Sequence, residues 1–253
     1  MISAIVPVHG PSPFLERCVR SLLPQVHEVV IVEDGSPEPP NPFASLEETH
    51  YVRRQENGGF GAACNTGAEG AHSKGDWLLF VNSDVELLPD CVRQMKRACS
   101  RHNVIVGAKL LYSDDTIQHG GVVYDPNTGW CDHRYRFQPR DYAPAGATEP
   151  CLVTGALLLI PRSLFWHLGG FDESLRMAWE DIDLELRALK ERAQVIYQGQ
   201  AEAYHIEGGT RGRTPEEKAE RGPQWAEWED EAWRKFHERW PAETLAKYAG
   251  VHV

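Results

Sequence analysis

The sequence predicts a single α/β domain in which a mostly parallel β-sheet is flanked by helices. Short apolar runs rich in β-branched residues alternate with segments of helical periodicity, which is the pattern of a parallel sheet covered by helices. The length of 253 residues, with 42% hydrophobic residues, suits one hydrophobic core. Polar segments follow several of the apolar runs, which favours a binding crevice at the carboxyl ends of the strands.

The first half of the chain predicts a repeated β-α pattern. Strands are expected at residues 2–6, 29–32, 51–52, 77–81 and 104–106, and helices at 14–23, 60–71 and 89–98. Pro24 ends the first of these helices, and Pro89 suits the start of the third because its fixed φ matches a first helical turn.

The second half is less regular. Strands are expected at 122–123, 152–160, 195–197 and 201–204, and a helix at 180–192. Residues 130–148 form a polar excursion that contains prolines, and loops of this length usually act at a site. The last segment, 224–248, is predicted as a helix that carries five aromatic residues: Trp225, Trp228, Trp233, Phe236 and Trp240. These residues lie nearly all round the helix, so packing against the core, contact with a second subunit and contact with a membrane surface all stay open.

Composition excludes several classes of protein. The formal charge of -11 argues against a nucleic-acid partner. The amino terminus lacks a basic segment followed by an apolar stretch, and no run approaches the roughly 20 apolar residues of a membrane span, so we expect a cytoplasmic protein. The six cysteines show no close Cys-x-x-Cys pair, which favours reduced structural thiols over zinc ligands.

Polar residues follow four predicted strands and should converge on one crevice. They are Pro7 to Gly10, Glu33 to Ser36, Asn82 to Asp84, and His205. Asp34 can accept hydrogen bonds from a ribose or a pyrimidine base, although an Asp-Gly turn explains it equally well. The segment 57–65 lets a backbone approach a ligand before a helix begins, and it matches neither a dinucleotide-binding fingerprint nor a phosphate loop.

Two residues suggest a metal site. Asp84 directly follows a buried strand, where a carboxylate is costly unless a cation or hydrogen-bond donors compensate it. It lies too far ahead of Pro89 to cap the next helix. His205 could supply a nitrogen ligand to the same cation, and the two residues with two phosphate oxygens would suit Mn²⁺ or Mg²⁺.

Three acids begin the helix that is predicted at 180–192: Glu180, Asp181 and Asp183. Interaction with the helix dipole explains one or two of them. Like charges this close also raise the pKa of at least one carboxyl toward the range of a general base. We therefore expect this cluster to contain the catalytic group.

Taken in order, these motifs resemble those of the family 2 glycosyltransferases with the GT-A fold. The resemblance covers positions 1–210 and rests on five segments: 5–9, 33–36, 57–67, 82–84 and the block from Thr154 to Leu184. It implies a nucleotide-binding half at 1–108, an acceptor-binding half at 109–210, and an appended loop and helical segment at 211–253.

The resemblance also implies roles for individual residues. Asp181 would be the general base, and Asp84 and His205 would bind the metal. Donor-binding residues would be Pro7, His9, Asp34, Asn57, Gly58, Asn65 and Ser83, and acceptor-binding residues would be Gly155, Trp179 and Glu180. Arg211 and Arg213 could close over the donor diphosphate, or belong to a solvated loop. Asn82 departs from the family pattern, which has an acid at this position.

The implied activity is inverting transfer of a sugar from a nucleotide diphosphate donor to an acceptor hydroxyl. A UDP-sugar is favoured and dTDP-rhamnose is an alternative donor. A glycan or lipid-linked acceptor would indicate cell-surface polysaccharide synthesis, at the inner face of the membrane in the lipid-linked case. A sugar-phosphate nucleotidyltransferase and a catalytically silent sugar-nucleotide-binding module remain as alternatives.

Overall fold

The protein was analysed as a computed structural model that describes residues 1–37, 49–70, 75–99, 103–146, 151–206, 216–217, 222 and 224–249. The first half contains β1 (Ile2–Val8), α1 (Leu15–Leu22), β2 (Glu28–Asp34), β3 (Thr49–Arg54), α2 (Phe60–Gly70), β4 (Trp77–Val81), β5 (Val85–Leu87), α3 (Cys91–Ala98) and β6 (Val104–Leu111). The second half contains β7 (Ile117–His119), β8 (Val122–Asp125), β9 (Trp130–His133), β10 (Leu157–Pro161), α4 (Arg162–His167), α5 (Glu180–Lys190), β11 (Gln194–His205), α6 (Trp225–Arg239) and α7 (Ala242–Ala249).

The main sheet has the strand order β3-β2-β1-β4-β10-β6-β11-β5, and β7 pairs with β6. Strands β3, β2, β1 and β4 are mutually parallel, as are β6 and β11. Strand β10 runs antiparallel to both β4 and β6, so the sheet is mixed. Because of this reversal, the residues just before β10 lie at the same edge of the sheet as the residues just after β4 and β6.

Helices cover both faces of the sheet and produce two apolar layers. Helices α1 and α3 pack on one face, where Leu15, Val19 and Met95 are buried in one apolar cluster with side chains of the sheet. Helices α2 and α4 and part of α5 pack on the other face. Strands β8 and β9 form a separate hairpin, which packs with α5, α6 and α7 in a third cluster. All six cysteines are free, and four of them are buried.

The elements predicted for the first half are confirmed within a few residues, and the strand at Trp77–Val81 has the expected bounds. The strand expected at 152–160 is wrong in its first half, since β10 begins only at Leu157. The backbone N–H groups of Val153 and Gly155 do not pair with a neighbouring strand. That of Val153 donates a hydrogen bond to the Glu185 side chain, and that of Gly155 donates one to the Asp181 side chain. This segment is therefore part of a site and not part of the ladder.

Two other boundaries differ from expectation. The two short strands expected at 195–197 and 201–204 form one strand, β11, whose register against β6 shifts between Gln198 and Glu202. The single helix expected at 224–248 breaks at Trp240–Pro241 into α6 and α7, because proline cannot donate the hydrogen bond that a continuous helix requires. Strands β5, β7 and β9 and helix α4 were not predicted.

Candidate functional site

One cavity of about 840 Å³ lies at the edge of the sheet where β1, β2, β4, β6 and β11 end. It is lined by eleven of the residues singled out in the sequence: Pro7, His9, Asp34, Asn57, Ser83, Asp84, Gly155, Trp179, Glu180, Asp181 and His205. Pro7, His9, Asp34 and Asn57 form one end, the β2 end. Gly155, Trp179, Glu180 and Asp181 form the other, the α5 end. The expected convergence of polar strand ends is confirmed.

Asp34 is fixed at the β2 end by three donors. Its carboxylate accepts hydrogen bonds from the backbone N–H groups of Gly58, at 3.1 Å, and Gly59, at 2.9 Å, and pairs with Arg54 Nε at 2.8 Å. Burial raises the pKa of the Asp34 carboxyl above its usual value, and the N–H donors and Arg54 partly offset that rise. The carboxylate thus joins the end of β2 to the loop before α2.

The neighbouring Glu33 has a different position. Its side chain is completely buried, accepts a 2.5 Å hydrogen bond from Ser36 N–H, and pairs with Arg53 Nε at 3.1 Å. It does not line the cavity, whereas Asp34 does. Successive residues of a strand point to opposite faces, which explains why only one of the two adjacent acids reaches the site.

The loop at 57–59 needs glycine for a packing reason. Gly59 has φ +87°, and a Cβ at this position would lie 2.2 Å from the backbone oxygen of Arg176. Asn57 Oδ1 accepts a hydrogen bond of 3.0 Å from Gly59 N–H. His9 Nδ1 lies 2.9 Å from the Asp34 backbone oxygen, so Nδ1 donates and the rest of the ring can face the cavity.

Asn65 and Gly58 are not among the residues that line the cavity, and their expected part in donor binding stays a prediction. Asn65 exchanges two hydrogen bonds of 2.9 Å with the backbone of Phe171 and also donates to Glu173 Oε1. Its amide therefore joins α2 to the segment that precedes α5. Gly58 contributes its backbone N–H to Asp34. Arg211 and Arg213 lie outside the described residues.

Asp84 and His205 form a candidate metal site in the lining of the cavity, just after β4 and at the end of β11. Asp84 Oδ1 lies 3.2 Å from His205 Nε2, and both side chains are about nine-tenths buried. Two cis ligands at about 2.1 Å from one octahedral ion lie about 3 Å apart, so the spacing fits a shared divalent cation. Among the described residues no third His, Cys, Asp or Glu completes a protein cage. The remaining positions would suit phosphate oxygens and water.

Asn82 stands beside this pair. Its Nδ2 lies 3.5 Å from His205 Nε2, and its backbone N–H donates to the Ala156 oxygen across to β10. An amide oxygen is a weaker metal ligand than a carboxylate because it carries no charge. Ser83 accepts a hydrogen bond of 3.2 Å from Ser12 Oγ, which joins the loop after β4 to the loop before α1.

Asp181 is one of two carboxylates of the α5 end that line the cavity. Its Oδ2 accepts a 2.7 Å hydrogen bond from Gly155 N–H, and its Oδ1 accepts one of 2.8 Å from Ile182 N–H. Each carboxylate oxygen has two lone pairs, so acceptor capacity remains for a group in the cavity. Glu180 also lines the cavity and is 6% exposed.

Asp183 serves a structural purpose. Its side chain is completely buried and accepts hydrogen bonds of 2.7 Å from Arg187 Nε and Arg239 Nη1 and of 2.9 Å from Trp240 Nε1. Asp183 thus joins α5 to the C-terminal helices. The first turn of α5 therefore separates acids that line the cavity from one that holds the fold together.

A raised pKa is found one turn further on, at Glu185, which sequence reasoning did not single out. Its fully buried carboxyl accepts hydrogen bonds of 3.0 and 3.3 Å from Val153 N–H. Burial, and then the charge of Asp181, raise the pKa of Glu185 well above its usual value. The carboxyl nevertheless lies behind Asp181 and does not line the cavity.

Aromatic side chains surround the α5 end. Trp179 has φ +75° and stacks on Phe236 at 4.5 Å and against Trp130 at 5.3 Å. The Tyr112 and Phe137 rings stack at 5.3 Å and also line the cavity, together with Arg136. Sequence reasoning placed residues 130–148 near a site without naming these side chains, because stacking between distant segments has no local signature.

Three of the five aromatic residues of the C-terminal segment pack inside the protein, and Trp228 and Trp233 are half-buried. Contact of this segment with a membrane or a second subunit stays a prediction. Trp225, Phe236 and Trp240 are buried, and Trp225 also lines the cavity. Lys190 lies over the Trp240 ring at 4.2 Å. In the part of the chain that the structure describes, no helix combines the length and apolar character needed to cross a bilayer.

Comparison with known proteins supports the expected relationship. The family model "Glycosyl transferase family 2" matches residues 3–169. The O-antigen biosynthesis protein RfbC of Myxococcus xanthus is 31% identical over 225 residues, which cover 83% of this chain and 18% of that protein. The N-acetylglucosaminyl-diphospho-decaprenol L-rhamnosyltransferase of Mycobacterium tuberculosis is 26% identical over 249 residues, covering 85% of this chain and 79% of that enzyme.

A solved structure of GalNAc-T7 with UDP, GalNAc and Mn²⁺ matches with a TM-score of 0.66 and 16% identity. The match covers 96% of this chain and 53% of that one. The predicted GT-A fold is confirmed. The chain spans less than a fifth of the length of the Myxococcus relative and about half of the solved neighbour.

Proposed function

Because the chain belongs to glycosyl transferase family 2, we propose that it is an inverting glycosyltransferase that moves a sugar from a nucleotide diphosphate donor to an acceptor hydroxyl. The observation that carries this proposal is the arrangement of one cavity. It contains the buried carboxylate of Asp34 at the β2 end, the carboxylate–imidazole pair of Asp84 and His205, and the carboxylate of Asp181 at the α5 end. Base recognition, diphosphate neutralisation and proton removal each need one of these groups.

The nucleoside would occupy the β2 end. Asp34 offers acceptor oxygens to a ribose or to a base N–H, and His9 and Asn57 lie beside it. A UDP-sugar is the favoured donor, since the solved neighbour was crystallised with UDP. The likeness to a mycobacterial rhamnosyltransferase supports dTDP-rhamnose as the alternative.

The donor diphosphate would lie between the two ends, beside Asp84 and His205. These residues would hold Mn²⁺ or Mg²⁺, which stabilises negative charge on the departing diphosphate when it is bound. The Mn²⁺ in the solved neighbour and the nitrogen ligand here favour manganese. Gly155 N–H keeps Asp181 in place on the far side of this pair.

Asp181 would act as the general base. It would take the proton from the acceptor hydroxyl while that oxygen attacks the anomeric carbon from the face opposite the diphosphate. The carbon–oxygen bond to the diphosphate breaks in the same step, so the configuration inverts. General-base assistance of this kind is worth about 10²–10⁴ in rate.

The acceptor would enter at the α5 end, where Trp179 and Glu180 line the cavity, with Phe137 as a further aromatic residue of the lining. Aromatic walls suit the apolar faces of sugar rings. The names of the relatives support a glycan or a lipid-linked sugar and a place in surface polysaccharide synthesis. With a lipid-linked acceptor, transfer would take place at the cytoplasmic face of the membrane.

The test is calorimetric binding of UDP, dTDP and GDP, with and without Mn²⁺. We expect UDP or dTDP to bind in a Mn²⁺-dependent manner, and Asp84→Asn to remove that dependence. Asp76→Asn is the matched control, because Asp76 is an exposed carboxylate just before β4 whereas Asp84 follows that strand. A wild-type protein that binds no nucleotide would contradict the proposal. So would an equal Mn²⁺ dependence of nucleotide binding in Asp76→Asn and Asp84→Asn.

A further inference from the structure

We infer that Gln118 is a positioning residue that fixes the His205 ring in the tautomer that can bind a metal through Nε2. This inference rests on the proposed function, because it concerns the same metal site. Gln118 is 1% exposed, lies on β7, and does not line the cavity. Its position in the sequence, between Ile117 and His119, gave no indication of this role.

An irregularity in the strand pairing aims Gln118 at His205. In the pairing of β7 with β6, His119 lies opposite Leu110 and Ile117 lies opposite Leu111. Two consecutive residues of β6 therefore face residues that are two apart on β7, and Gln118 is the extra residue. Such bulges redirect side chains and are frequent beside active sites.

Two hydrogen bonds determine the orientation of the Gln118 amide. Gln118 Nε2 lies 3.3 Å from the His205 backbone oxygen, and Gln118 Oε1 lies 2.6 Å from His205 Nδ1. A backbone oxygen can only accept a hydrogen bond, so the amide NH₂ must face it. The amide oxygen then faces Nδ1, which must be the donor.

A donor at Nδ1 leaves the lone pair of the neutral ring on Nε2. This is the nitrogen that lies 3.2 Å from Asp84 Oδ1. Metal-bound histidines commonly donate their other ring N–H to an acceptor, which holds the ring in the binding orientation. Without the Gln118 oxygen, the neutral ring could carry its proton on Nε2, where it would face Asp84 and block coordination.

Backbone contacts keep β7 in place. Ile117 N–H donates to the Gln138 oxygen at 2.8 Å, and Phe137 N–H donates to the Ile117 oxygen at 2.7 Å. Strand β7 is therefore held between β6 and the loop that carries Phe137. The amide of Gln118 is fixed by its own two bonds and by the backbone on both sides.

The first measurement needs no substitution. Long-range ¹H–¹⁵N NMR correlation at alkaline pH, where imidazole is neutral, distinguishes the two tautomers, and His205→Gln assigns the signals by their loss. We expect the Nδ1–H tautomer for His205 in the metal-free wild-type protein. The Nε2–H tautomer, or an equal mixture of the two, would overturn the inference.

The second measurement is Mn²⁺ affinity in the presence of saturating UDP, with the EPR signal of the free ion as the readout. Gln118→Met removes the acceptor at similar volume, and we expect affinity to fall by about 10–100-fold, the usual effect of losing such a partner. Gln118→Glu keeps an oxygen for Nδ1 but loses the N–H donor to the His205 backbone oxygen, so it should restore the Nδ1–H tautomer and part of the affinity. Gln200→Met, an exposed glutamine on the same strand as His205, is the matched control.

Unchanged Mn²⁺ affinity in Gln118→Met would overturn the inference, and so would a loss in Gln118→Glu as large as that in Gln118→Met. Thermal melting shows whether a variant is folded. If the wild-type protein binds no Mn²⁺ with any nucleotide, the proposed function fails on its own account. The tautomer measurement then still decides whether Gln118 sets the state of the His205 ring.

Discussion

The two ends of the cavity use left-handed backbone in different ways. At the β2 end the residue with positive φ that lines the cavity is Gly59, and Gly35 lies just beyond Asp34. At the α5 end the corresponding residue is aromatic, namely Trp179, and Phe137 elsewhere in the lining also has positive φ. Glycine adopts this conformation at no steric cost, whereas a bulky residue does so only where surrounding structure compels it.

The carboxylates of the two ends also differ in which parts of the chain hold them. Asp34 is held mainly by the loop that follows β3, through Gly58 and Gly59. Asp181 is held by Gly155, and its helix is anchored through Asp183 to Arg239 and to the end of α6. The groups that hold Asp34 thus all come from the first half of the chain, although Gly59 also packs against the backbone of Arg176. The α5 end depends on contacts between distant segments, including the C-terminal helices.

The largest expected effect is a contrast between two acids of α5, Asp181 and Asp183. Asp181→Asn should lower transfer by about 10²–10⁴ with nucleotide binding and melting temperature nearly unchanged, because the general base is lost and the side-chain volume is kept. Asp183→Asn should instead lower stability by about 1–3 kcal/mol, since it weakens charged hydrogen bonds with Arg187 and Arg239. Single-turnover rates, calorimetry and urea unfolding measure these quantities. Loss of donor binding in Asp181→Asn would give Asp181 a different role.

The next effect concerns Gly59 at the β2 end, with Gly169 as the control glycine of positive φ. Gly169→Ala should cost about 1–2 kcal/mol, since this glycine has φ +84° and no heavy atom within 4 Å of an added Cβ. Gly59→Ala should cost about 1–3 kcal/mol more, because its Cβ would meet the Arg176 backbone. Only Gly59→Ala should also weaken UDP binding. Equal losses of stability in urea unfolding would show that the close approach to Arg176 is unimportant.

A pH-dependent effect is expected behind the α5 end. Glu185 is protonated in the folded protein over a range in which the unfolded chain has ionised, because burial raises its folded pKa. The contribution of Glu185 to the free energy of unfolding therefore falls as pH rises from the ordinary pKa of a Glu carboxyl, about 4.3, through the raised pKa of the folded protein. Gln stays neutral and keeps an acceptor for Val153 N–H. The stability of Glu185→Gln relative to wild type should increase with pH in chemical unfolding, and parallel curves would contradict this.

The smallest effect tests whether the C-terminal helices support the α5 end. Trp240→Phe removes the Nε1–H donor to Asp183 and should cost about 1–2 kcal/mol of stability. Donor binding at the β2 end should be unaffected. Trp166→Phe, at a partly exposed position on α4, is the matched control and should change little. A loss of UDP affinity in Trp240→Phe would mean that the two ends are not independent.

Much of the site could be predicted because several of its polar residues lie at the ends of strands. Asp34, Asp84 and His205 each end or follow a strand, and parallel strands bring their carboxyl ends to one edge. The mistaken strand at 152–156 has a physical cause. An apolar run predicts burial, but it does not reveal that Val153 and Gly155 donate to the side chains of α5.

The sequence by itself determined the fold class, the edge of the sheet where the site lies, and the identity of its central acids, because these follow from local periodicity and from turn chemistry. Only the tertiary structure separated Asp181 from Asp183, buried Trp225 and Phe236 of α6, and brought Gln118 to His205. Each of these depends on which distant segments pack together. Adjacent residues of like chemistry differ only in the neighbours that the packed fold gives them.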